Sequence, residues 1–208
     1  IVGAGSAGCV LANRLSADSA RKVLLLEAGR DDPPGSEPAH IRDLFFVAPY
    51  YQDNVWPHLL VRWQPKDQPG SRLTPYVQGR VMGGGSSINA MGAIRGLPDD
   101  YDGWARQGAA GWGWNDVLPY FLKLEHDTEF EGPLHGKDGP VPIRRIAKPL
   151  WPPFSRAVAV SMESRGLVPG PDMNGVHCDG VFPFPLNNTP EGRVSMAMAY
   201  LTAEVRAR

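Results

Sequence analysis

The chain opens "IVGAGSAG", and the spacing of Gly3, Gly5 and Gly8 constrains the fold more than any other feature. A GxGxxG run between a strand and a helix assigns each glycine a task. The first permits the tight turn out of the strand, the second keeps the backbone bare, and the third lets the helix lie close to the strands. The flanking residues supply that context. Ile1 and Val2 read as the end of a strand, and the segment from Ala7 onward places Ala7, Val10, Leu11 and Leu15 on one helical face. "KVLLLEA" follows, a short apolar run typical of a parallel strand buried on both sides, and it closes with Glu27. Strand, glycine turn, helix and strand make a βαβ unit, so we expect an α/β fold with a Rossmann-like FAD/NAD(P)-binding domain.

That unit has a chemical consequence. The free N–H groups and the roughly half positive charge at the helix start favour phosphate. A carboxylate at Glu27 accepts hydrogen bonds from both ribose hydroxyls of an adenosine, and its charge repels a 2′-phosphate, which disfavours NADP. FAD and NAD both remain open at this point.

A second glycine-rich tract, "GRVMGGGSSINAMGAIRG", spans residues 79 to 96. No lysine follows its glycines, so it is not a nucleotide triphosphate loop. It offers backbone amides, two hydroxyls and one carboxamide around small side chains. Those groups suit a flat, polar-edged ring system and a second approach to a pyrophosphate, which fits a flavin better than a nicotinamide.

The remaining sequence reads as turns and long ordered loops around a modest regular core, with 24 glycines and 21 prolines in 208 residues. Residues 30–75 form a proline-rich extended loop with a short strand at "LLVRW", of a length that suits covering a site. "TPYVQGRVMG" predicts a strand ending at the glycines. "PDDYDGWARQG" predicts a helix whose early acids, Asp99, Asp100 and Asp102, complement its positive end rather than bind metal. "WNDVLPYFLKLEHD" predicts a helix burying Val117, Leu118, Phe121 and Leu122. "GPVPIR" reads as an edge strand, and "PPFSRAVAVSMESRG" as a helix opened by proline and closed by Gly166. Trp104, Trp112 and Trp114 are expected in the core, and Cys9 buried against the sheet. "SMAMAYLTAEVRAR" reads as one helix with no stop signal. With only Ile1 and Val2 before the first glycine, where a strand usually has about 5 residues, the sequence reads as part of a longer chain.

Bulk properties exclude several classes. Net charge of −1 gives no attraction for nucleic acid or an anionic membrane, and no apolar run approaches a bilayer span of about 18 residues. Two cysteines make no disulfide framework, and we expect a cytoplasmic setting.

Together these motifs resemble the glucose–methanol–choline (GMC) oxidoreductases. The family's first signature is matched by Gly79, Arg80, Gly83, Gly84, Gly85, Ser86, Ile88, Asn89, Ala93, Gly96 and Asp102, with Met82 standing where a branched aliphatic is usual. "GAGSAG", "LLEAG", "GWGWNDVLPYF" and "HGKDGPVPI" extend the resemblance over nearly the whole sequence, and within the family the tract is most similar to aryl-alcohol-type oxidases. The resemblance implies an FAD-dependent oxidoreductase acting on a primary alcohol, with oxygen or another acceptor restoring the flavin. By that resemblance Gly3, Gly5, Ser6, Ala7 and Gly8 meet the pyrophosphate and Glu27 the adenosine ribose. Gly85, Asn89, Ala90 and Gly92 line the flavin side. Ile88 and Asn89 stand where some members carry a histidine that tethers FAD, so non-covalent FAD is expected. Residues 1–150 would be the N-terminal part of the FAD-binding domain, and 151–208 the start of the substrate domain.

The family's catalytic histidine lies in a context that none of His40, His58, His126, His135 and His177 matches, so no catalytic residue and no metal ligand is assigned. Three alternatives stay open: an FAD-containing hydroxynitrile lyase on the same fold, an NAD-linked dehydrogenase, and an inactive truncated chain.

Overall fold

The computed structural model describes residues 1–45 and 53–208. In chain order the described elements begin with α1 (Ser6–Ser16), α2 (Ala39–Arg42), β1 (Leu60–Val61) and β2 (Thr74–Pro75). There follow α3 (Pro98–Arg106), α4 (Trp114–Leu124), β3 (Glu125–Asp127), β4 (Val141–Arg145) and α5 (Pro153–Glu163). The last are β5 (Val168–Pro169), β6 (Gly180–Val181), β7 (Pro185–Leu186), β8 (Asn188–Thr189), β9 (Gly192–Arg193), α6 (Met196–Tyr200) and α7 (Ala203–Arg206). They belong to two compact units, one of residues 1–91 with 191–208 and one of residues 92–190.

In the first unit the opening is a parallel βαβ arrangement. Val2 bridges Leu26 in parallel, Gly3 N–H donates to Leu26 O at 2.7 Å, and α1 runs between the two segments. The expected burial of the second segment on both sides does not hold. Leu24 and Leu26 are 69% and 51% exposed, while Val23 and Leu25 are half-buried. An extended chain alternates its side chains, and here one face is covered. The helix also turns a different face inward. Gly8, Cys9 and Ala12 are buried, Val10 and Leu15 half-buried, and Ala7 and Leu11 exposed. Small residues win the inner face because α1 packs closely on two sides. A Cβ on Gly8 would lie 2.0 Å from Gly3 O, and Asn13 Nδ2 donates to Tyr200 O in α6 at 2.8 Å. Cys9 is fully buried, as expected, and its thiol donates to Ala4 O at 3.2 Å.

The expected strand at "LLVRW" is β1, which pairs antiparallel with β2 in the register Leu60 to Pro75 and Val61 to Thr74. Part of the expected loop 30–75, residues 46–52, lies outside the described residues. Beyond β2 the chain stays extended through single bridges from Val55 to Gly79 and from Arg30 to Val81. It ends at Gly83, whose φ of +88° turns it into a 3-10 turn at Gly84–Ser87. The single C-terminal helix expected from sequence is two. Leu201 leaves helical geometry at φ −104°, ψ 53°, and the Thr202 hydroxyl caps α7 by accepting from Val205 N–H.

The second unit is built on a three-stranded sheet, β3–β4–β7. Here β4 is the central strand, not an edge: it pairs parallel with β3 and antiparallel with β7. Pro142 lies outside the pairing with β7, which reaches only Arg144 and Arg145, so its missing N–H costs no bond to that strand. α3 and α4 form as predicted. Leu97 N–H donates to Asp100 Oδ2 at 2.9 Å and Trp114 N–H to Asp102 Oδ1 at 2.9 Å, so these acids cap helices. Val117, Leu118, Phe121 and Leu122 are the half-buried side of α4. The tryptophans are not all core, since Trp104 and Trp112 are 48% and 55% exposed. Trp104 lies edge-on to Tyr101, with ring centres 5.3 Å apart, and Trp112 packs on Trp104 at 6.1 Å, so each covers part of the other without full burial.

Candidate functional site

Each glycine of the first turn has a distinct physical reason. Gly3 adopts φ +86°, a conformation that side chains strain. Gly8 has no room for a Cβ. Gly5 differs from both: its φ of −70° suits any residue and nothing lies within 4 Å of where its Cβ would stand. The backbone there faces open space at the start of α1, which has neither a capping side chain nor an acid in its first turn. The first N–H groups of that helix therefore remain available to an anion. Ser6 and Ala7 are exposed on this same turn.

Glu27 is tied into the turn itself. Its Oε2 accepts from Ala4 N–H at 2.8 Å and its Oε1 from Gly29 N–H at 2.8 Å. An ionised carboxylate has about four acceptor positions, so two remain for further donors such as ribose hydroxyls. This bracing of the first turn by the acid that ends the second strand was not anticipated from sequence.

The second glycine tract lies directly against the first. Gly83 N–H donates to Ala4 O at 2.8 Å, and a Cβ on Gly84 would stand 2.8 Å from Gly5 Cα. A side chain at Gly84 would fill this cradle, where two bare backbones meet. Gly85, Asn89 and Ala90 are exposed beside it, and nothing lies within 4 Å of a Cβ on Gly85. The serines work inward instead: Ser86 Oγ donates to Gly83 O at 2.6 Å and Ser87 Oγ to Met82 O at 2.7 Å. Gly92 belongs to the second unit, where it bridges Leu186 and a Cβ would press on the Phe184 ring at 3.0 Å. Sequence reasoning missed Arg193, which is 2% exposed and donates into this second tract. An arginine beside Gly192 carries no local sign that it is buried.

The histidines have structural surroundings. His40 Nε2 pairs with Asn54 Nδ2 at 2.9 Å, His126 bonds Lys137 O, and His177 lies edge-on to Trp114. His58 is a non-glycine residue at φ +57°. In the second unit His135 is buried between Asp127 Oδ2, at 3.2 Å from Nδ1, and Asp172 Oδ2, at 3.0 Å from Nε2. Glu125, Asp127 and His135 bring three potential ligand atoms together, yet guanidinium groups already hold these carboxylates. Arg95 reaches Glu125 at 2.5 Å, and Arg145 reaches Asp127 and Asp172 at 2.6 Å each. The cluster is a buried ion-pair network. Burial alone would push the Asp127 carboxyl up, but N–H groups of Phe130 and Glu129 and the Arg145 guanidinium outweigh it and hold it below the ordinary carboxylate range.

A parallel βα turn with a bare glycine, an open helix start, an acid closing the next strand and a second glycine turn seated on the first together define a dinucleotide-binding α/β protein. Comparison with known proteins narrows that class: the GMC oxidoreductase family model matches residues 1–207, and the chain belongs to this family. The family is one of FAD-binding flavoproteins that includes alcohol oxidases and dehydrogenases. The chain is 44% identical to 5-(hydroxymethyl)furfural oxidase from Methylovorus sp., over 100% of this chain and 40% of that protein. The crystal structure of pyridoxine 4-oxidase from Mesorbium loti superposes with a TM-score of 0.86 at 35% identity, covering 100% of this chain and 40% of that one. An FAD-dependent oxidoreductase from Chaetomium thermophilum gives 0.81 at 30% identity, covering 96% and 35%. The chain thus spans 35–40% of the length of these relatives. Among the described residues, no helix is long and apolar enough to cross a membrane.

Proposed function

We propose that residues 1–150 form the N-terminal part of the FAD-binding domain of an enzyme that oxidises a primary alcohol, and that residues 151–208 begin its substrate domain. The observation that carries this reading is the seat of one glycine turn on the other, through Gly83 N–H to Ala4 O at 2.8 Å and the close approach of Gly84 to Gly5. In this reading Gly3, Gly5, Ser6, Ala7 and Gly8 hold the pyrophosphate, Glu27 the adenosine ribose, and Gly85, Asn89, Ala90 and Gly92 the flavin side. Ile88 and Asn89 offer no nucleophile for a covalent tether, so FAD is held non-covalently. Bound FAD supplies the hydride acceptor for alcohol oxidation. The chain's own contribution is to present bare N–H groups to the phosphates and to keep side chains out of the cofactor's path. No proton acceptor is assigned to its histidines. The ring-borne hydroxymethyl group in the name of the furfural oxidase relative supports an aryl or furanic alcohol. Oxygen or another acceptor restores the cofactor.

The test is an absorption spectrum of the full-length protein, acid precipitation, and anaerobic mixing with 5-(hydroxymethyl)furfural. A flavin spectrum released to the supernatant and bleached by the alcohol is expected. A colourless protein that takes up no FAD refutes the cofactor reading. A yellow protein that neither furanic nor aryl alcohols bleach refutes the substrate class and points to non-redox chemistry on the same scaffold.

A further inference from the structure

We propose that Arg193 is a positioning residue of the cofactor site, holding Asn89 so that the carboxamide NH2 of Asn89 faces outward as a donor to the flavin ring. The inference rests on the reading of this turn as part of an FAD site.

The Arg193 guanidinium, 2% exposed, bridges two segments of the first unit. Its Nε donates to Ile41 O at 3.0 Å. Its Nη1 donates to Asn89 O at 2.6 Å, Asn89 Oδ1 at 3.1 Å and Ser86 O at 3.3 Å, three oxygens of one turn. The backbone beneath it is fixed as well, because a Cβ on Gly192 would lie 2.3 Å from Arg42 O. Spanning both sides at once requires a planar fork with donors at fixed angles, which lysine lacks.

Asn89 Oδ1 also accepts from Met91 N–H at 3.0 Å. Two donors on one oxygen set the amide orientation, since the reverse would place the NH2 against both of them. The opposite end of the carboxamide therefore carries the NH2. Asn89 is exposed, as are Gly85 and Ala90, and its NH2 has no hydrogen-bond partner among the described residues. A buried arginine thus orients an exposed amide whose free function is donation. The matching ligand chemistry is a carbonyl or ring-nitrogen acceptor, both of which edge the flavin ring system.

The test uses the full-length protein, stripped of flavin and titrated with FAD, in wild-type, Arg193→Lys and Asn89→Asp forms. Asn89→Asp keeps an oxygen toward Arg193 and replaces the outward donor with an acceptor. We expect it to leave the melting temperature of the stripped protein unchanged, weaken FAD by at least about 10-fold and alter the visible circular dichroism of the bound flavin. Arg193→Lys is expected to weaken FAD and alter the flavin bands in the same sense. A lysine variant that melts lower yet binds FAD with wild-type affinity and bands would make Arg193 merely structural and overturn the proposal. If that variant does not fold, Asn89→Asp decides alone, and wild-type affinity and bands there also overturn it. A wild-type protein that takes up no FAD overturns the site reading and the inference together, whereas normal wild-type binding with unaffected variants overturns the inference only.

Discussion

Gly5 and Gly8 lie three positions apart in one turn, and a single methyl group should have opposite consequences at the two. At Gly8 the added Cβ would stand 2.0 Å from Gly3 O and 3.1 Å from Gly3 C, both backbone atoms that no rotamer change can remove. To reach ordinary contact, helix and strand must part by roughly 1.4 Å, a shift of the kind that overpacked cores undergo. That opens the seat of α1 and strains the Gly3 N–H to Leu26 O bond of 2.7 Å. Overpacking costs about 1–3 kcal/mol, and a domain of this size loses about 2–4 °C of Tm per kcal/mol. Gly8→Ala should therefore melt about 2–12 °C lower even without ligand.

At Gly5 nothing stands within 4 Å of the new methyl and the backbone suits alanine, so stability should change by no more than about 1 kcal/mol. The methyl instead fills the space through which a phosphate approaches the first N–H groups of α1. Losing one charge-assisted hydrogen bond costs about 1.5–3 kcal/mol, or roughly 10- to 150-fold in Kd. The assay is thermal melting of the flavin-stripped full-length protein, followed by FAD titration of each variant. If Gly5→Ala melts as low as Gly8→Ala, or binds FAD as wild type does, the separation of packing from ligand approach is wrong.

Further outcomes follow from the same geometry. Glu27→Ala removes the acceptor of Ala4 and Gly29 N–H together, and FAD retention should weaken by at least about 10-fold; unchanged affinity in equilibrium titration would take Glu27 out of the site. Arg145→Met strands Asp127 and Asp172 in the buried network and should cost about 3–5 kcal/mol in urea unfolding, while a loss below about 1 kcal/mol would mean the network is screened. Because the Asp127 carboxyl is held below its unfolded value, its contribution is full above about pH 4–5 and is lost as pH falls through the lower folded value. Asp127→Asn should accordingly flatten the acid limb of the stability curve, and a limb as steep as wild type would assign it to other groups. Burial pushes the Cys9 thiol up to about 11, whereas Cys178 is exposed, so alkylation at pH 8 should mark Cys178 and spare Cys9 until the protein unfolds; a label on Cys9 of the native protein by peptide mass spectrometry would contradict the burial.

How much of this was legible in the sequence depends on how far away the deciding atoms lie. Gly3, Gly5 and Gly8 could be assigned their tasks because each answers to backbone within a few residues, and the caps by Asp100 and Asp116 are equally local, whereas Asp102 caps the next helix, twelve residues on. Which face an element buries is a different question, settled by what covers it. Leu24 and Leu26 look like core and stand open; Ala12 looks incidental and is buried because α6 and the strand leave room only for small residues. Trp104 and Trp112 show the same limit from the other side, since large apolar groups can satisfy one another at a surface. Arg193 is the extreme case. It acts on Asn89 from 104 positions away, and its burial is decided by carbonyls of Ile41, Ser86 and Asn89 that turn toward it, not by any property of its neighbours in sequence. The proposed cofactor site therefore divides by range: the bare glycines of its first turn follow from local backbone rules, and the residues that brace its two turns emerge only once distant segments meet.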